Sequence, residues 1–157
     1  MWDWLITGAR VVDGTGNPWY WADVALQGDR IEAVGKLCGD ASQHRLDAEG
    51  LILAPGFIDS HTHAEAYAVG DHPGETAKVA QGVTTDIMGL CGLSAFPVAA
   101  GRLEPLQEYL SGATAGERLA WEWQGYADLV SYMTRRKRLI NVCSMVGHGS
   151  VRLAVMG

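Results

Sequence analysis

Three apolar runs, GFIDSHTH (56–63), GVTTDIMGLCG (82–92) and LINVCSMVGHG (139–149), each read as a strand and are separated by stretches that carry helical patterns. This alternation constrains the fold more than any other feature, because strands joined through helices pair in parallel and the helices cover the sheet. PGETAKVAQ (73–81) reads as a short helix with Pro73 near its start. YADLVSYMTRRKR (126–138) sets Tyr126, Leu129, Val130 and Met133 at i, i+3, i+4 and i+7, one face of an amphipathic helix. Between them, residues 93–125 are long and irregular, with one weak helix in which Leu103, Leu106 and Leu110 share a face, and they are expected as an excursion from the sheet. SVRLAVMG opens the next segment.

The first fifty-odd residues follow a different pattern. WLITGARVVDGTG holds two short β-rich runs around Gly8. ADVALQGDRIEAVG alternates apolar and polar residues through Val24 and Leu26, turns at Gly28-Asp29 and returns through Ile31, Ala33 and Val34, which is a hairpin. HRLDAEGLILAPG adds another strand pair broken at Glu49-Gly50. The expectation is an α/β chain of two parts: a small β unit over 1–54, of sandwich type, and an alternating strand–helix region over 55–157.

Charge narrows the partners. Twelve Lys and Arg against eighteen Asp and Glu give a net charge of −6, which disfavours nucleic acid and anionic membrane, since both select positive surfaces. No basic leader and no window near the ~18 apolar residues of a membrane span occurs, so the expected location is cytoplasmic. Cys38, Cys91 and Cys143 are odd in number and far apart, which suits free thiols and not a disulfide framework. The run Arg135-Arg136-Lys137-Arg138 is expected as the solvated end of a helix, where cations meet the negative end of the macrodipole. The tryptophans come in pairs, Trp2/Trp4, Trp19/Trp21 and Trp121/Trp123, as residues of packing or an interface do.

The chemistry gathers at the ends of the three runs. Side chains alternate along a strand, so His61 and His63 project to one side near a strand's C-terminal end and can chelate one metal ion. Taken alone, such a pair is more often a solvated strand end. Cys91 stands at the end of the second run between Gly89 and Gly92, and His148 follows the third. In parallel β/α architectures, ligands and catalytic groups collect at that edge of the sheet. Buried packing is the commoner role of a free cysteine, but the small neighbours of Cys91 favour a ligand position. Cys143 has the opposite parity to His148 and is expected to face the helical layer as packing. Cys38 is expected in a turn, His44 and His72 in polar loops, and Asp59, which shares parity with the two histidines, is expected to face inward, as a structural carboxylate or as a group behind the ligands. GTGNPW lacks the third glycine of a dinucleotide fingerprint, and His63-Ala64-Glu65 lacks the Pro-Cys-x-x-Cys that completes a zinc deaminase signature.

APGFIDSHTH, entered from a small β unit, resembles the start of the barrel in amidohydrolase-superfamily enzymes. QGVTTDIMGLCG, NVCSMVGHGSVRLAVMG and the early VVDGTGNPWYWADVALQGDRIEAVG are more narrowly similar to the N-acyl-D-amino-acid deacylases, over nearly all of the chain. The resemblance implies a TIM-like (β/α)8 barrel after residue 55, with His61, His63 and Cys91 as metal ligands, His148 as a substrate-binding residue at the mouth of the site, and zinc (Zn2+) as the cofactor. It implies hydrolysis of the amide of a small N-acyl-D-amino acid, with an aspartate as proton shuttle. Family members often follow the histidine pair with acidic residues, whereas here Ala64 comes next and Glu65 after it. The family's later metal histidines and its aspartate have no counterpart in these 157 residues, and a complete barrel needs about 250. The chain is therefore expected as the N-terminal part of a truncated barrel, with its catalytic base unassigned and homo-oligomerisation left open. Two other readings stand beside this one: an amidohydrolase of cyclic amides, such as a hydantoinase or dihydropyrimidinase, and a catalytically inactive fragment or interaction module.

Overall fold

The computed structural model describes residues 1–69, 74–114, 116–117 and 119–157. His72 and Pro73, assigned above to a polar loop and a helix start, lie outside the described residues. The chain divides into two compact units, Met1–Pro55 and Gly56–Gly157.

The first unit is one five-stranded sheet built on β1 (Trp2–Val11). β2 (Tyr20–Gln27) lies antiparallel to β1, and β3 (Arg30–Gly35) closes the expected hairpin on β2. Gly28 takes a positive φ of 60° in that turn. The runs either side of Gly8 form a single strand with a bulge: the register shifts between Ile6 and Ala9, and Gly8, at φ 73°, donates its N–H to Asp23 Oδ1 at 2.9 Å. β4 (Ser42–Asp47) and β5 (Ile52–Leu53) do not pair with each other, contrary to expectation. Both run parallel to β1, β4 along Trp2–Thr7 and β5 along Arg10–Val11, because the long bulged strand offers two lengths of free edge. Every strand thus enters one ladder, which gives a sheet and not the two facing layers of a sandwich. One face buries Ala9, Val11, Ala22, Val24 and Ala48. Trp21, Ile31, Leu46 and Ile52 are exposed.

The second unit holds a parallel sheet in the order β6 (Phe57–Asp59), β7 (Val83–Met88), β8 (Asn141–Ser144), as the alternation predicts. Among the described residues, α1 (Glu65–Val69) and α2 (Gly74–Val79) fall between β6 and β7, and α2 is the short helix expected there. α3 (Leu103–Leu110) and α4 (Tyr126–Thr134) precede β8, and α5 (His148–Met156) follows it. Met88 packs in one core with Ala64 and Ala68, with Leu106 and Leu110 of α3, and with Leu129 and Tyr132 of α4. On α4, Tyr132 takes the buried place expected of Tyr126, which is exposed. The irregular stretch before α4 joins this core through Ala95, Phe96, Leu119 and Trp123, whose indole N–H donates to the Ala95 carbonyl at 2.7 Å.

Register settles which face each strand residue takes. Asp86 and Met88 are buried on the helical side, and Asp86 pairs with Val142 and Met88 with Ser144. Val142 therefore packs on the core, and Cys143 is exposed on the other face. Counting parity back from His148 misplaces Cys143, because β8 ends at Ser144 and the chain between is not extended strand.

Asp59 pairs with Asp86 and also turns to the helical side, where Lys78 of α2 binds both carboxylates, Asp86 at 3.3 Å. Tyr67 of α1 donates to Asp86 at 2.5 Å. Arg138 is no solvated cation: its guanidinium donates to Glu75 and to the Tyr67 carbonyl, both at 2.8 Å. Among the described residues, no helix is long and apolar enough to cross a membrane.

Candidate metal centre

The site grows from the ends of β6 and β7. β6 stops at Asp59, and the next residues stay attached to β7 through Thr62, whose N–H and hydroxyl both donate to the Ile87 carbonyl, at 3.0 and 3.1 Å. Thr62 is buried, and the histidines on either side of it are exposed. Their rings lie 6.1 Å apart between centroids.

After β7 the chain turns through Gly89-Leu90-Cys91-Gly92 with three positive φ angles: 81° at Gly89, 54° at Cys91 and 82° at Gly92. A cysteine held there is strained, a cost of about 1–3 kcal/mol that the surroundings must impose. They do so by close packing. A Cβ on Gly89 would stand 1.9 Å from the Met145 carbonyl oxygen, so only glycine fits that crossing. Farther along, the Gly92 carbonyl accepts the N–H of Gly149 at 2.9 Å, while Ser94 and Ser150 exchange hydrogen bonds at 2.9 and 2.8 Å. The first turn of α5 thereby clamps the loop that carries Cys91.

Clamped this way, Cys91 Sγ lies 3.1 Å from His61 Nε2. One ligand atom from each of His61, His63 and Cys91 falls within 4.8 Å of the others. The arrangement fits a zinc ion: metal–nitrogen and metal–sulfur bonds of about 2.0 and 2.3 Å at a tetrahedral angle separate N from S by about 3.5 Å. Two imidazoles and a thiol are also a borderline-to-soft donor set that suits zinc.

The other candidates fall elsewhere. His148 is the exposed first residue of α5 and is not in this group, although its neighbour Gly149 is bonded to Gly92. Cys38 is exposed in a turn. His44 lies in β4 and not in a loop, stacked on Trp4 at 4.6 Å. A cavity of about 490 Å³ opens beside α3, lined by Glu104, Glu108, Glu117 and Trp121, and none of the three donors lines it.

Sequence reasoning missed Glu65. Its carboxylate is fully buried, Oε1 accepts the Gly89 N–H at 3.1 Å, and Oε2 has no partner among the described residues. Burial pushes this carboxyl above its ordinary value, against the hydrogen bonds and the nearby His63. The signal lay in the spacing His-x-His-x-Glu, which looked like half of a different motif. The glycines and serine of VGHGS were also read for their histidine, whereas Gly147, Gly149 and Ser150 do the packing.

Residues 45–157 match the amidohydrolase family. The chain is 38% identical over 155 residues to a D-aminoacylase of Alcaligenes xylosoxydans xylosoxydans, covering 98% of this chain and 31% of that protein. It is 39% identical over 157 residues to an N-acyl-D-glutamate deacylase of the same organism, covering 98% and 30%. Among solved structures, a D-aminoacylase described with a binuclear metal centre superposes with a TM-score of 0.83 at 37% identity, over 99% of this chain and 32% of that one. An N-acyl-D-glutamate deacylase of Bordetella bronchiseptica, complexed with zinc and a phosphonate mimic of the tetrahedral intermediate, gives 0.81 at 36% identity, over 99% and 31%. The chain thus spans about a third of the length of the relatives it matches.

Proposed function

Because the chain belongs to the amidohydrolase family, with N-acyl-D-amino-acid deacylases among its relatives, we propose that it forms the metal-binding start of an enzyme that hydrolyses the amide of N-acyl-D-amino acids. The convergence of His61, His63 and Cys91 within 4.8 Å carries this reading. Residues 1–54 act as a small β unit, and 55–157 contribute β6, β7 and β8 as the first strands of a (β/α)8 barrel. The similarity to two deacylase structures over 99% of the chain supports that division of labour.

In this reading His61 and His63 would hold a zinc ion as neutral imidazoles and Cys91 would hold it as thiolate. A zinc ion held there would supply a Lewis acid for the acyl carbonyl and would bring the pKa of a coordinated water to about 7. The chain's own groups do the rest of what these residues can do. Thr62 ties the histidine segment to β7, and the α5 clamp holds Cys91 where its sulfur meets the His61 ring. His148, one residue before the Gly149–Gly92 bond, binds substrate at the mouth of the site.

The test uses protein expressed from its complete coding frame. Zinc-loaded enzyme is expected to release free D-amino acid from N-acyl-D-amino acids, N-acyl-D-glutamate and N-acyl-D-aspartate included, and to leave hydantoins and dihydropyrimidines intact. Cys91→Ala is expected to lose both bound zinc and turnover. Metal content unchanged in that variant refutes the assignment.

A further inference from the structure

We propose that Glu65 is a positioning residue of the metal centre, its Oε1 holding the Cys91 loop and its Oε2 accepting the ring N–H of His63, so that the opposite ring nitrogen is the one presented to metal. The inference rests on the reading of His61, His63 and Cys91 as ligands.

Three observations carry it. Glu65 is fully buried while all three donors are exposed, so the carboxylate lies beneath the ligand set and is not a member of it. Its Oε1 accepts from Gly89, two residues before Cys91, and its own backbone follows His63 by two residues, so a single side chain ties the two ligand-bearing segments together. Its Oε2 is shut away from solvent with no partner among the described residues, which is costly for a carboxylate oxygen and calls for a donor close by. His63, two residues before Glu65, carries the ring N–H nearest to that oxygen along the chain. A metal-bound imidazole ordinarily gives its second N–H to a carboxylate or carbonyl, which fixes the tautomer and the ring plane. Removal of such a partner lowers metal affinity by about tenfold to a hundredfold.

Protein from the complete coding frame, with zinc as the probe, tests this. Glu65→Gln keeps the shape but has one carbonyl oxygen, which serves Gly89 or His63 and not both. Its zinc affinity is expected to fall about tenfold to a hundredfold by chelator competition. Nitrogen NMR of the metal-free protein is expected to show the His63 ring in mixed tautomers, where the unaltered protein shows one. Glu65→Ala is expected to lose more affinity; if it does not fold, Glu65→Gln decides alone. Unchanged zinc affinity and an unchanged His63 tautomer in a folded Glu65→Gln protein overturn the proposal. His61→Ala and Cys91→Ala separate the two levels of failure. If they lose zinc while Glu65→Gln keeps it, only the role of Glu65 falls, and if they too keep it, the ligand reading falls and takes this inference with it.

Discussion

Gly147→Ala tests whether the α5 clamp holds the Cys91 loop. Gly147 has φ −76° and ψ 127°, a conformation that alanine adopts freely. On backbone grounds alone the change would stabilise by about 0.4–1 kcal/mol through the unfolded chain. The added Cβ, however, would stand 2.4 Å from the Gly92 carbonyl oxygen and 2.5 Å from the Leu93 carbonyl carbon, both main-chain atoms with no rotamer to change. The two segments must separate by roughly 1 Å, and overpacking of this kind costs about 1–3 kcal/mol. That separation also stretches the Gly147 N–H bond to Ser94 Oγ and the Gly149 N–H bond to Gly92, each 2.9 Å long and worth about 1 kcal/mol. The net expectation is a loss of about 2–4 kcal/mol, read from urea unfolding, together with weaker zinc binding as Cys91 leaves the His61 ring. Gly35→Ala is the control, since its Cβ meets nothing within 4 Å, and it is expected to be near neutral. A Gly147→Ala protein within about 0.5 kcal/mol of the parent, with unchanged zinc affinity, would refute the clamp.

Four further outcomes are expected. Tyr67→Phe removes the donor to the fully buried Asp86 and should cost about 1.5–3 kcal/mol in urea unfolding, the range for hydrogen bonds to charged groups. Arg138→Met strands the buried Glu75 and should cost about 3–5 kcal/mol, most of it recovered when Glu75→Gln is added. For Lys78, burial acts to lower the pKa but Asp59 and Asp86 outweigh it and hold the amine above 10.5, while Lys78 holds Asp59 below 3.8. The stabilisation they share is therefore complete between those two values, fading as pH falls through the depressed Asp59 value and as it rises through the elevated Lys78 value. The melting-temperature difference between parent and Lys78→Met should be flat across that window and shrink beyond both ends. His148→Ala should raise KM severalfold and leave bound zinc unchanged, and zinc loss in this variant would argue against a purely substrate-facing role.

Much of this architecture was legible in one dimension because it rests on short-range periodicity. The hairpin at Gly28-Asp29 follows from alternation and a turn residue, and the parallel sheet follows from strands spaced by helical stretches. His61 and His63 share an outlook because one pinned residue separates them. Failures came where a residue's partner is distant in the chain. β4 and β5 looked like a pair to each other, yet both find their edge on β1. Cys143 was assigned a face by counting through residues that are not strand. Arg138 looked solvated until Glu75, from α2, was beside it.

Local sequence therefore determined the hairpin at Gly28-Asp29, the alternation of strand and helix after residue 55 and the donor chemistry at the ends of β6 and β7, since side-chain type and spacing act over a few residues. Tertiary structure alone decided that the sulfur of Cys91 meets the ring of His61, that Gly147 and Gly149 press on the loop carrying Cys91, and that Glu65 is buried against Gly89. Those outcomes depend on which segments exclude water from one another, and burial is a property of the packed chain that no single residue carries.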